Sequence, residues 1–204
     1  MMKKIDILIS AGIGAITAVY FMSLFGQPGF VEKLGGLGSL LWLLIPLFTF
    51  LAPICLWIAF LIGKKYLFIF QLAKFILIGV MATIFDLGTL SAFIAYFGIS
   101  SGIGYLAFKA ISFIIATVLK YIPDKFWAFK KHETSGLGKE FYQFFAITLI
   151  GLIINVSIAN LIVNIVGPQF GLPAALWGNL GGIGAVIITF AWNFIGYKFF
   201  VFKK

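Results

Sequence analysis

The chain has 204 residues, of which 62% are hydrophobic and only 10% charged, and its mean hydropathy is +1.13. A water-soluble domain is about half apolar and about a quarter charged, so this composition excludes a soluble protein and leaves no polar stretch long enough for an aqueous catalytic domain. The formal charge of +9 comes from lysine alone. Without one arginine, the residue suited to bidentate contact with phosphates and bases, it does not point to nucleic acid.

Six apolar runs follow one another between charged breaks, each long enough to cross about 30 Å of hydrocarbon. The first covers about 5–26, opened by Lys3 and Lys4 and closed by Gln27-Pro28-Gly29. Its length, the interruption by Asp6 and the lack of a small-x-small cleavage site distinguish it from a signal peptide. The second covers about 38–63 and ends at Lys64 and Lys65, with Pro46 and Pro53 expected to kink it. The third begins near Lys74, after an amphipathic lead-in from Leu67, and runs to about Phe97. The fourth occupies about 103–122, the fifth about 141–166 and the sixth about 174–197.

The connections alternate in charge. Lysines gather at 3–4, at 64–65 with 74, at 125–139 and at 198–204, while the intervening loops hold only Glu32 and Lys33, then nothing ionisable at 98–102 and at 167–173. By the positive-inside rule both termini are cytoplasmic and the number of spans is even. Trp42 and Trp177 then fall near the outer interface and Trp127 at the inner one, as aromatic belts do. The expected fold is an all-α integral membrane protein of about six transmembrane helices, located in the cytoplasmic membrane.

The last four runs contain a repeat. Residues 122–131 align with 195–204 at six identities in ten positions, and Phe75 through Asp86 aligns with Phe144 through Asn155. Residues 74–131 and 143–204 thus read as two copies of a two-helix unit. Two spans per copy keep both copies in one orientation, related by a parallel pseudo-two-fold along the membrane normal.

The copies end in Lys120-x-x-x-Asp124-Lys125-x-Trp127-x-Phe129 and Asn193-x-x-x-Tyr197-Lys198-x-Phe200-x-Phe202, and the first opens with Phe75, Gly79 and a mid-helix acid, Asp86. In these features residues from about 70 to 204 resemble the GtrA-like membrane proteins, whose four spans form two repeats ending in a pattern close to Asn-x-x-x-Asn-[Arg/Lys]-x-aromatic-x-Phe. The chain departs from that pattern at Lys120, Asp124 and Tyr197, and at Lys109, where asparagine is common. The implied organisation is two N-terminal helices over 1–66 and a four-helix GtrA-like core over 67–204. The implied activity is movement of a polyprenyl-phosphate-linked monosaccharide across the membrane for polysaccharide or glycan modification. No cofactor and no metal are implied. Expected partners are that sugar lipid, membrane lipids, a polyprenyl-phosphate glycosyltransferase and a second copy of the chain.

Ionisable groups inside hydrocarbon carry the strongest functional signal, because each costs several kcal/mol unless paired or wetted. Asp86 lies twelve residues beyond Lys74, and Lys109 eight beyond Ser101. At about 1.5 Å per residue these are depths of about 18 and 12 Å from opposite edges, which coincide in a core of about 30 Å. The two then form either a structural ion pair or a mid-membrane site in which Lys109 meets a phosphate that Asp86 otherwise replaces. Asn155 corresponds to Asp86 in the second copy and suits an interhelical hydrogen bond. At the inner end Lys120 and Asp124 share a helix face. Lys125, Lys130, Lys131, Lys198, Lys203 and Lys204 surround them as a collar that reflects topology and anionic headgroups or receives a lipid phosphate. In the second case Trp127 and Phe200 flank the isoprenoid or sugar, and Asn193 bonds sugar hydroxyls. Gly178-x-x-x-Gly182 and Gly181-x-x-Gly184 suit helix packing, and His132 suits a solvated loop. No side chains in one aqueous compartment form a catalytic constellation, so enzymatic chemistry is not expected. Two other readings fit the sequence: a non-transporting adaptor of a glycosyltransferase, and a small ion-coupled solute transporter with Asp86 as its proton site.

Overall fold

A computed structural model describes residues 2–25, 35–98, 102–170, 184 and 187–203, with the side chains of Lys109 and a few other helical residues excepted. The described residues are helical and connecting segments without a strand. Helix α1 spans Lys4–Phe25; a 3-10 segment, Gly35–Leu43, leads into α2, Leu44–Gly63; α3 is Leu67–Phe97 and α4 is Gly102–Pro123. A π turn, Asp124–Ala128, follows α4. Helix α5 is Leu137–Asn160, continued by a π segment Leu161–Val166. Helix α6, Ile187–Val201, ends in a further π turn, Tyr197–Val201.

Among the described residues, four helices are long and apolar enough to cross a membrane: Lys4–Ser23, Gly38–Gly63, Leu67–Phe97 and Leu137–Asn155. Helix α4, the fourth apolar run, has 22 residues, about 33 Å at 1.5 Å per residue. The lead-in at Leu67 and the third run are one continuous helix of 31 residues. Half of the sixth run, with Trp177, Gly178, Gly181 and Gly182, lies outside the described residues, as do Gln27-Pro28-Gly29, Glu32 and Lys33. Pro46 stands in the first turn of α2, where a missing N–H leaves no hydrogen bond broken, and Pro53 stands inside the helix.

The chain divides into two compact units, Met1–Ala128 and Phe129–Lys204. In the first, α1 is turned inside out by the standards of a soluble protein. Its buried stripe is Asp6, Ser10, Ile13, Thr17 and Ala18, whereas Ile5, Ile7, Leu8, Ile16 and Val19 face outward. The spacing of the stripe follows the helical period. Its hydroxyls are satisfied locally: Ser10 donates to the Asp6 carbonyl at 2.8 Å and Thr17 to that of Ile13 at 2.7 Å. Only a surrounding solvent of hydrocarbon makes that arrangement favourable, because greasy groups gain nothing by burial there while polar ones must be enclosed. Helix α2 obeys the same rule, with Leu56 buried and Leu47, Phe50, Ile54, Trp57 and Ile58 outward.

Close approach joins α1 to α2. A Cβ at Gly14 would strike the backbone carbonyl of Phe48 and meet the Ala52 Cβ at 3.2 Å, and Phe21 stacks on Phe48 with centroids 5.7 Å apart. Helices α2 and α3 turn tightly on Gly63, which abuts Phe70. Helices α3 and α4 are held at the end away from the lysines by Phe93, Phe97 and Phe108, with centroids 5.2–5.4 Å apart across the pair. In the second unit Phe129 lies between Phe202 and Phe194, at 5.1 and 5.7 Å. Lys131 there pairs with Glu140 of α5 at 2.9 Å and donates to the Val201 carbonyl at 3.3 Å.

Gly14→Val should lower stability by about 1–3 kcal/mol, the usual cost of overpacking, because the obstacle is backbone and cannot rotate away. Gly12→Val, with nothing within 4 Å of its Cβ position, should cost much less. Thermal unfolding of the two variants in detergent checks the contrast.

Candidate functional site

The lysine-rich end of the first unit holds a cluster of buried charges. Asp6 occupies the third position of α1, where a carboxylate reaches back to the helix start. Its Oδ2 accepts the Lys3 backbone N–H at 2.9 Å. Its Oδ1 accepts the Lys74 ammonium at 2.5 Å and the Trp127 indole N–H at 2.9 Å. Lys74 is 1% exposed, and its Nζ also lies 4.4 Å from the centre of the Phe70 ring and 5.0 Å from that of Trp127. A desolvated ammonium over two aromatic faces gains both Coulomb and cation–π energy. One carboxylate therefore ties α1 to α3 and to the turn after α4.

That turn carries the second part of the cluster. Pro123 has no N–H to give the Leu119 carbonyl, which favours loosening the last α-turn into a π turn, a feature common at functional positions. Asp124 is fully buried, and neither of its carboxylate oxygens has a hydrogen-bond partner. The Lys120 Nζ stands 3.6 Å from Oδ2, an ion-pair distance beyond hydrogen-bond reach. Lys120 also lies 4.4 Å over the ring of the fully buried Phe75. Lys125 is fully buried in the same turn. Burial, only partly offset by Lys120, pushes the Asp124 carboxyl up to about 7.

Along α3, half-buried Asp86 accepts the Ser112 hydroxyl of α4 at 2.6 Å. Lys109 lies on α4 one turn before Ser112, with its side chain outside the described residues. Asp86 thus faces α4, and Ser112 is a contact that charge-based reading passed over.

In the second unit the π turn Tyr197–Val201 begins at the residue aligned with Asp124, closed by the Phe202 N–H donating to the Tyr197 carbonyl at 2.7 Å. Tyr197 is fully buried and stacks on Phe144 at 4.4 Å. Thr148 gives its proton to the Phe144 carbonyl at 2.9 Å, so in the bond between the two hydroxyls Tyr197 is the donor. Asn193 packs against Gly151, whose Cβ would come within 2.5 Å of its Oδ1, and that oxygen is buried without a hydrogen-bond partner. Lys198 lies 5.7 Å from the ring centre of Phe194 and 5.5 Å from that of Phe199, Phe200 faces outward, and Asn155 is half-buried on α5. Among the described residues no three or more His, Cys, Asp or Glu come together as a metal site.

The GtrA/DPMS transmembrane domain matches residues 74–202. The chain belongs to the GtrA/DPMS transmembrane-domain family. No curated protein and no solved structure matches it significantly. The GtrA/DPMS match begins at Lys74, so Asp6, α1 and α2 are additions to the family's domain, and the Asp6 carboxylate closes on the first residue of that domain. Sequence reading brought Lys120, Asp124, Lys125 and Trp127 to one end, and the structure gathers all four in the first unit. It missed Asp6 and Lys74, the first taken as a break in a span and the second as a loop charge. The signal was present: Asp6, Ser10 and Thr17 fall on one face of an otherwise greasy helix.

Asp6→Ala should destabilise the protein by about 3–5 kcal/mol, because it leaves a buried ammonium uncompensated. The double change Asp6→Leu with Lys74→Met should recover most of that loss in detergent unfolding. A second expectation concerns pH. The folded carboxyl of Asp124 titrates above its ordinary value of 3.8, so its contribution is present below about pH 4 and is lost as pH rises through about 7. Asp124→Asn should flatten this part of the stability profile, measured as unfolding midpoints across that range.

Proposed function

We propose that the protein moves a polyprenyl-phosphate-linked monosaccharide across the cytoplasmic membrane, for use in polysaccharide or glycan modification outside. The observation that carries this reading is the cluster of enclosed charges at the lysine-rich end of the first unit. Lys74, Lys120 and Lys125 are buried or nearly so, against two buried carboxylates, Asp6 and Asp124. A lipid phosphate suits this cluster, where Lys120 stands beside Asp124 with part of its side chain accessible. The isoprenoid tail stays in hydrocarbon, so only phosphate and sugar need polar company. Membership of the GtrA/DPMS family supports polyprenyl-phosphate sugars as the substrate class.

In this reading six spans cross the membrane, both termini are cytoplasmic, and helices over 1–66 precede a four-helix core over 67–204. The copies 74–131 and 143–204 share the π turn at aligned positions, which supports their descent from one two-helix unit. Lys120 and Lys125 receive the phosphate at the cytoplasmic end, beside Asp124 and Trp127. Asp86, Ser112 and Lys109 form the polar step halfway across. Asn193, Asn155 and Lys198 offer the second copy's contacts to sugar and headgroup. The chemistry is non-covalent and the protein is not an enzyme. A second reading, a non-transporting anchor for a polyprenyl-phosphate glycosyltransferase, is favoured by the full satisfaction of Asp6, which is how a scaffold treats its charges.

Proteoliposomes containing a labelled polyprenyl-phosphate sugar should show transbilayer movement well above protein-free vesicles. Lys120→Gln and Lys109→Ala should each slow it by at least about tenfold, the factor that about 1.4 kcal/mol of lost phosphate contact produces, in protein that still folds. Absence of movement across several sugars and carrier lengths would leave the anchor reading.

A further inference from the structure

Asp124 is placed where an ionised carboxylate is hard to keep. It is fully buried, no donor reaches either oxygen, and a buried charge without hydrogen bonds lacks most of what offsets its desolvation. The turn packs against α3 and α4. The charged groups on the surrounding elements are Lys120 on α4, Lys125 in the turn itself, Lys74 on α3 and Asp6 on α1. Lys74 and Asp6 are closed on each other. The ion pair that favours the charged form of Asp124 is therefore the one with Lys120, at 3.6 Å. Lys120 keeps 12% of its side chain accessible and Asp124 none, so of the two an arriving anion meets Lys120 first.

Those two facts couple the groups. A phosphodiester oxygen at Lys120 compensates the ammonium and removes the attraction that keeps Asp124 ionised. We propose that Asp124 is the proton-coupling group of the protein, taking one proton from water when a lipid phosphodiester takes Lys120 while the carboxylate is ionised. The step balances: an O–H bond forms on the carboxylate, Lys120 keeps its own proton, and no bond of the lipid breaks. The empty pair is neutral, and the pair with one diester anion and one proton is neutral again. A loaded site without net charge is the form cheapest to carry through hydrocarbon. The proposal rests on the lipid-phosphate reading above, and it places the ion coupling at the lysine-rich end, not at Asp86. The carboxyl's position near 7 suits exchange with water at neutral pH.

The second copy limits the stoichiometry. At the aligned positions it has Asn193 and Tyr197, an amide and a phenol, with the Tyr197 hydroxyl bonded to Thr148. Neither residue repeats the ammonium–carboxylate pair, so the coupling is one proton per lipid, not two.

The test uses the full chain in nanodiscs and a polyprenyl phosphoglucose, a diester with a single charge that does not titrate near neutrality. Calorimetry in buffers of different ionisation enthalpy counts the protons bound with the lipid. About one proton should be taken up at about pH 8 and close to none at about pH 6, with affinity falling up to tenfold per pH unit above about 7. Asp124→Asn should bind with no proton uptake and no pH dependence. Tight binding by the unaltered protein at about pH 8 without proton uptake would overturn the coupling while leaving the lipid-phosphate site standing. A folded protein that binds no such lipid at any pH would overturn both. The proton count on the unaltered protein decides the matter even if the variant does not fold.

Discussion

The first unit depends on one carboxylate. Asp6 gathers donors from three places: the backbone at the start of α1, the ammonium of Lys74 on α3 and the indole of Trp127 beyond α4. In hydrocarbon an unpaired charge is so unfavourable that such a bond also disfavours arrangements that would leave any of these groups unpaired. Apolar contacts between helices cannot impose that selectivity, since lipid tails compete for them on nearly equal terms. Packing of small residues, as at Gly14 against Phe48, then adds close contact to an arrangement that electrostatics has already chosen.

Helix positions were legible from hydropathy because the membrane imposes length and composition together. The run at 103–122 corresponds to α4 at Gly102–Pro123, and that at 38–63 to the stretch Gly38–Gly63. What charge placement alone did not reveal is the role of individual lysines. Lys74 and Lys125 stand where the positive-inside rule expects headgroup-facing cations, yet both are buried. The rule counts charges near helix ends and says nothing of which way each one turns. The π turns were equally hidden, since their hydrogen bonds involve backbone alone; Pro123 was the one local hint.

The aligned stretches around Phe75 and Phe144 hold different chemistry. Phe75 and Phe144 are both fully buried at aligned positions, but the first lies under a lysine and the second stacks on a tyrosine. The ring is a flat apolar floor in each case. What rests on it decides whether that copy holds charge or closes around a neutral hydroxyl pair. Lys120 and Asp124 compensate each other in charge.

The Asp6 contact also bears on modularity. Families of small membrane domains are often regarded as interchangeable cassettes, to be excised at the edge of the shared segment and joined to new neighbours. Here that edge falls at Lys74, and the counter-ion for this lysine is contributed from far upstream. A cassette cut at the shared boundary would carry away an ammonium evolved to be neutralised by a segment left behind. Transplanting this domain therefore means either bringing α1 with it or rewriting position 74, so the functional boundary of the cassette lies well before its sequence boundary.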